Sequence, residues 1–222
     1  VFVLTAYFVP EDPDVQAMLK LLPQGAWSGS PGLSLLHLIF NYILPMFFLI
    51  IPIMASSIMA ASSFVGEKEK HTLETLFYAP LSMEQIFRSK VLASFLLSMA
   101  VSLLSFLVMF IVLETEVFFL MGTFLAPGLN WPVMLALLSP SVSLIAVTLI
   151  VRGSAKAQSM EESQQSAVFL ILPLLLLIVG QVSGLMLVSP WILLILSLVC
   201  IGIAWILLKR ALKGFTYERL LG

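Results

Sequence analysis

Charge is scarce along this chain, and the shortage decides most of what it can be. Only 10% of the residues are Asp, Glu, Lys or Arg, while 60% are hydrophobic. A soluble domain carries roughly 25% charged residues. A chain this poor in charge cannot cover a water-facing surface, so its natural solvent is lipid. The net charge of −1 lacks the basic excess that a nucleic-acid partner requires. Cys200 is the single cysteine, which excludes an internal disulfide. With His37 and His71 as the two histidines, a zinc site lacks ligands.

Catalytic motifs are missing as well. No Gly is followed by Lys, so there is no nucleotide-binding Gly-Lys loop. Neither HExxH nor GxSxG occurs. Glu114 and Glu116 read as a solvated loop edge rather than as an acid/base pair. The expectation is a chain that is not an enzyme and holds no cofactor or metal.

What the sequence does contain is long apolar runs, at Leu33–Val65, Val91–Leu113, Trp131–Val151, Ala167–Val188 and Trp191–Leu208. Each is near or above the roughly 20 residues that cross a hydrocarbon core. Pro45 and Pro52 interrupt the first run and predict a kink or tilt there. The opening stretch VFVLTAYFVP is too short to span. It is read as the outer end of a first helix that begins before Val1, the alternative being an apolar segment lying on the surface. The predicted fold class is all-α: one polytopic transmembrane bundle over residues 1–222, with five spanning helices and the remnant of a first.

The basic residues set an orientation. Ten of the eleven Lys and Arg residues lie in Gly66–Lys90, in Arg152–Ser166 and in the tail Lys209–Gly222. Five helices put these segments on one side, which the positive-inside rule makes the cytoplasm. Residues 10–32 and 114–130 are then extracytoplasmic loops, and the second of them has no Lys or Arg.

Ionisable side chains are almost absent from the five runs, where Asn41 and Gln181 are the main strong polar groups. An intramembrane charge usually marks an ion or proton path, so the shortage argues against ion-coupled transport. Gln181 reads as an interhelical hydrogen-bonder and His37 as an interfacial residue. Gly180 and Gly184 form a GxxxG pair for close helix packing.

The segment GEKEKHTLETLFYAPLSMEQIFRSK, residues 66–90, carries the most information. Leu73, Leu76 and Phe77 fall at i, i+3 and i+4 and make one apolar helical face. Pro80 should end that helix, and Ser82 with Gln85 suits a capping box for a second. The prediction is a pair of short cytoplasmic helices with an apolar stripe. Physical reasoning leaves two fates for that stripe, packing on the protein's own inner surface or headgroups and docking into a groove on a partner.

These residues resemble the segment after the second membrane helix of ABC type 2 permeases, the membrane subunits of many bacterial exporters. Glu67, Lys68 and Glu69 match the charged run, and Thr72, Leu73 and Glu74 match the triplet. Leu76, Pro80, Ser82, Ile86 and Lys90 follow at the same spacing, while His71 replaces a usual glycine. The resemblance implies a six-helix fold and a permease subunit of an ATP-driven exporter in a bacterial cell membrane. It implies that Glu67, Glu69, Thr72, Leu73, Glu74, Leu76, Phe77, Pro80 and Ser82 contact a separate ATP-binding-cassette subunit. ATP and Mg would sit on that subunit, and a second permease copy or a relative would complete the translocation path. The competing expectation is a secondary transporter or channel that works without ATP.

Overall fold

The computed structural model describes residues 31–69, 83–154, 157, 159–183 and 188–214. Among the described residues every regular element is helical. The chain runs through α1 (Pro31–Leu38), a π turn (Ile39–Ile43), α2 (Leu44–Phe48) and α3 (Ile50–Glu69). After α4 (Met83–Met121) come α5 (Asn130–Val133), a second π turn (Met134–Leu138) and α6 (Ser139–Ser154). The short α7 (Met160–Gln164) continues through a 3-10 turn (Gln165–Ala167) into α8 (Val168–Val182), and α9 (Pro190–Gly214) closes the described chain.

Among these, four helices are long and apolar enough to cross a bilayer: Gly32–Glu67, Gln85–Met121, Asn130–Ser154 and Pro190–Ala211. Val168–Val182 is a shorter apolar helix. The predicted all-α polytopic bundle is therefore what the chain forms. Its layering comes from burial. The apolar windows of the first and third long helices are 56% and 61% buried within the protein, against 11% and 17% for the second and fourth. The first and third are the inner pair. The others turn leucines such as Leu104, Leu107 and Leu198 outward, as lipid permits.

Small residues bring the inner pair together. Ser56, Ser57, Ala60 and Ala61 of α3 are fully buried, as are Ser143, Ala146 and Val147 of α6. The Ser143 hydroxyl donates to the Pro52 carbonyl at 3.4 Å. Ser56 and Ser57 turn their hydroxyls back onto the Ile53 carbonyl. Each leaves no polar group facing hydrocarbon.

Boundaries differ from the sequence expectation at three places, one being the expected span Ala167–Val188, whose described helix is only Val168–Val182. The run ending near Leu113 continues as helix to Met121, so much of the expected loop at 114–130 is the last turns of α4. Gly122 ends it with φ +66 and donates its N–H to the Phe118 carbonyl at 3.0 Å. That is a left-handed cap, which glycine adopts without steric cost. At the other end, α4 begins at Met83, directly after Ser82, and its first turns run without a break into the long helix. Fixed helical dihedrals continue because nothing between Met83 and Met121 withholds an N–H: that stretch has no proline.

The described basic residues gather at one end of the bundle. Arg88 and Lys90 start α4, Arg152 ends the third long helix, and Lys209 and Arg210 lie in the last turns of α9. Gly66 at the end of α3 packs against the Met160 side chain of α7 at this same end.

Candidate functional site

Two places bring polar side chains together, one at each end of the inner pair. The first follows from Pro45. Proline has no N–H, so Asn41 loses its α-helical donor and Phe40 loses its donor in π register. The Leu44 N–H, which would serve Phe40 in an α-helix, goes instead to the Ile39 carbonyl. Two carbonyls are thus left open inside a membrane-spanning helix, where an unmet polar group is costly. The third long helix supplies what they need. Trp131 donates its indole N–H to the Phe40 carbonyl at 3.0 Å. Asn130 donates its amide to the Asn41 carbonyl at 2.6 Å.

The Asn41 side chain completes the junction. Its oxygen accepts the Gly128 N–H at 2.5 Å, and its amide nitrogen donates to His37 Nδ1 at 3.1 Å. A Cβ on Gly128 would stand 2.9 Å from the Asn41 oxygen, so only glycine fits. Around Trp131 the rings of Phe40, Phe48 and Phe106 lie with centroids at 5.4, 5.7 and 5.0 Å. The cluster ties α4 to the inner pair. The second π turn has the same cause: it begins six residues before Pro140, as the first begins six before Pro45.

The second place is the mouth of the segment between α3 and α4. Lys90 forms an ion pair with Glu67 and donates to the Ser63 carbonyl at 2.9 Å. Its ammonium lies 5.4 Å from the centre of the Phe64 ring, which meets Phe87 edge-on at 5.8 Å. One cation therefore pins the last turn of α3 to the first turns of α4. Behind it, Ser159 caps α7 by accepting the Glu162 N–H at 3.2 Å, the Ser-x-x-Glu spacing of a capping box.

Of the residues expected to meet an ATPase partner, Glu67 is thus engaged within the chain, and Glu69 is the last residue of α3. Thr72, Leu73, Glu74, Leu76, Phe77, Pro80 and Ser82 lie outside the described residues. Gly180 is half-buried in α8, and Gly184 lies outside the described residues. Gln181 is buried, and neither end of its amide has a partner among the described residues. Sequence reading missed Trp131, Asn130 and Gly128. Their signal was faint: an Asn-Trp-Pro start to an apolar run, opposite a run interrupted by Pro45.

Comparison with curated proteins and with solved structures finds no match. The profile of the ABC-2 family transporter protein matches residues 34–154. That stretch holds both the junction at Asn41 and the Glu67–Lys90 pair, and it covers more than half of the chain. With several apolar helices of spanning length, the chain is a transmembrane transport component, and it belongs to the ABC-2 family of ABC transporter permeases.

Proposed function

We propose that this chain is the permease half of an ATP-driven exporter in a bacterial cytoplasmic membrane. A separate ATP-binding-cassette subunit binds ATP and Mg and docks on the segment from Glu67 to Ser82. A second permease copy or a related permease completes the path. The observation that carries this reading is the family match over 34–154, joined to the motif from Glu67 to Lys90 that lies inside it.

The geometry around that motif supports the mechanics. The Lys90 ammonium binds Glu67, the Ser63 carbonyl and the Phe64 ring. A force on the segment between α3 and α4 then reaches both helices together. Packed helices pass such a push on as a rigid-body shift rather than absorbing it. The inner helix α3 carries the motion towards the Pro45 break and the junction at Asn41. Glu67, Glu69, Thr72, Leu73, Glu74, Leu76, Phe77, Pro80 and Ser82 form the docking surface in this reading, with Leu73, Leu76 and Phe77 as its apolar anchors.

The test is purification of the tagged protein in mild detergent with mass spectrometry of what accompanies it. The expected result is a stoichiometric soluble partner containing GxxxxGK[ST], lost on Leu73→Asp while membrane insertion is unchanged. A preparation without such a partner that still transports in ion-gradient liposomes would overturn the reading in favour of a secondary transporter.

A further inference from the structure

Glu116 has a setting that neither the fold nor the coupling scheme uses. Glu114 and Glu116 are two residues apart on α4 and so point roughly 200° apart around it. They open onto different grooves. The Glu114 carboxylate accepts the Leu125 N–H with both oxygens at 3.1 Å, which folds the loop after Gly122 back onto the helix. Glu116 faces a half-open groove of about 360 Å³ between the first long helix and α4. Leu36, Phe40, Val117 and Leu125 make its buried floor, and the exposed Val112 stands at its rim.

No described residue pairs with the Glu116 carboxylate. There is no Lys, Arg or His between residues 91 and 151. Lys90 lies about 39 Å back along the same helix and is already bound to Glu67. His37, the basic group among the described residues at this end, shares its Nδ1 with the Asn41 amide. Glu116 is exposed near the outer end of α4, so its carboxylate is open to a charged ligand at the mouth of the groove.

The groove also selects among ligands. Its volume falls in the range of small-molecule sites, roughly 300–1,000 Å³. An anion would be repelled by Glu116. A metal ion needs several oxygen ligands, and the groove offers one carboxylate among apolar side chains. A neutral hydrocarbon has no use for the charge. The geometry points to a site for an amphiphilic organic cation, its charged centre at Glu116 and its apolar body over Phe40 and Val117. Its role as cargo rests on the exporter reading; its binding does not.

The experiment is equilibrium binding of radiolabelled tetraphenylphosphonium to the full-length protein in lipid nanodiscs. No ATPase or nucleotide is present, and uptake by empty nanodiscs is subtracted. Saturable binding is expected, weakened about tenfold or more by Glu116→Gln and blocked by Val112→Trp, which fills the groove from an exposed position. Glu161→Gln, at the far end, should bind as the parent does. Tetraphenylborate, equal in shape and opposite in charge, should not compete. No saturable binding, equal binding by Glu116→Gln, or competition by tetraphenylborate would each overturn the site. Absence of binding leaves the exporter reading standing, whereas binding by a protein that recruits no ATPase keeps the site and removes that reading.

Discussion

Trp131→Phe tests whether the Pro45 break is held open by the opposite helix. The substitution keeps a ring in the cluster with Phe40, Phe48 and Phe106 but removes the N–H given to the Phe40 carbonyl. Phe40 is 3% exposed, so water cannot replace the donor. Leaving a buried acceptor unmet costs about 1–3 kcal/mol. Side-chain hydrogen bonds in membrane proteins average about 0.6 kcal/mol and reach about 1.7 kcal/mol. With the small void left by the lost half of the indole, a loss of about 2 kcal/mol is expected. The void can be subtracted by repeating the change in a Pro45→Ala background. The alanine introduced there has an N–H within reach of the Asn41 carbonyl in α register or the Phe40 carbonyl in π register. Trp131→Phe should then cost about 1 kcal/mol less than in the parent. The assay is unfolding by SDS titration from mild detergent, followed by far-UV circular dichroism. Equal costs in the two backgrounds would refute the idea that Pro45 creates the need Trp131 meets.

Two further substitutions probe the ends of the inner pair. Gly128→Ala places a Cβ 2.9 Å from the Asn41 oxygen, and Asn41 cannot swing away without releasing the Gly128 N–H; a loss of about 2 kcal/mol is expected. The same change in an Asn41→Ala chain should cost almost nothing more, which thermal unfolding of the four proteins measures. At the other end, Lys90→Met should destabilise by about 1–2 kcal/mol, since the pair is only partly shielded from solvent. The reversed pair Glu67→Lys with Lys90→Glu should recover only part of that loss, because the Ser63 carbonyl and the Phe64 ring were bound by a cation at position 90. Full recovery in a double-mutant cycle would show that the ion pair alone matters.

Much of this protein is legible without coordinates. A spanning helix is declared by length and apolarity along one dimension, so the runs at Leu33–Val65, Val91–Leu113, Trp131–Val151 and Trp191–Leu208 each fall within a long helix of the structure. The basic residues gather at one end because each lies next to the end of an apolar run, and antiparallel helices bring alternate ends together. Pro45 and Pro52 announced a disturbance in the first run, and the break at Leu49 and the π turn at Ile39–Ile43 are that disturbance. The residues around Glu67 resemble the family's motif, and the family match over 34–154 includes them.

Tertiary structure decided the rest. Which spans are inner depends on how each helix is rotated about its axis, and nearly uniform apolarity hides that. Sequence can show that Pro45 withholds a donor from the Asn41 carbonyl, but not that the π turn also frees the Phe40 carbonyl or that Trp131 and Asn130 serve the two, since the Phe40–Trp131 partners are 91 residues apart. Gln181 looked like a bonding residue for another helix, yet its amide finds no partner among the described residues. The sequence also did not show that the Glu67 carboxylate holds Lys90, a contact made because the antiparallel pairing of α3 and α4 brings together residues 23 apart in the chain. Composition chose lipid as the solvent and located four of the five expected spans, the fifth being the shorter helix Val168–Val182 among the described residues. Only packing could choose their rotations, and with them every hydrogen bond and ion pair that joins one span to another.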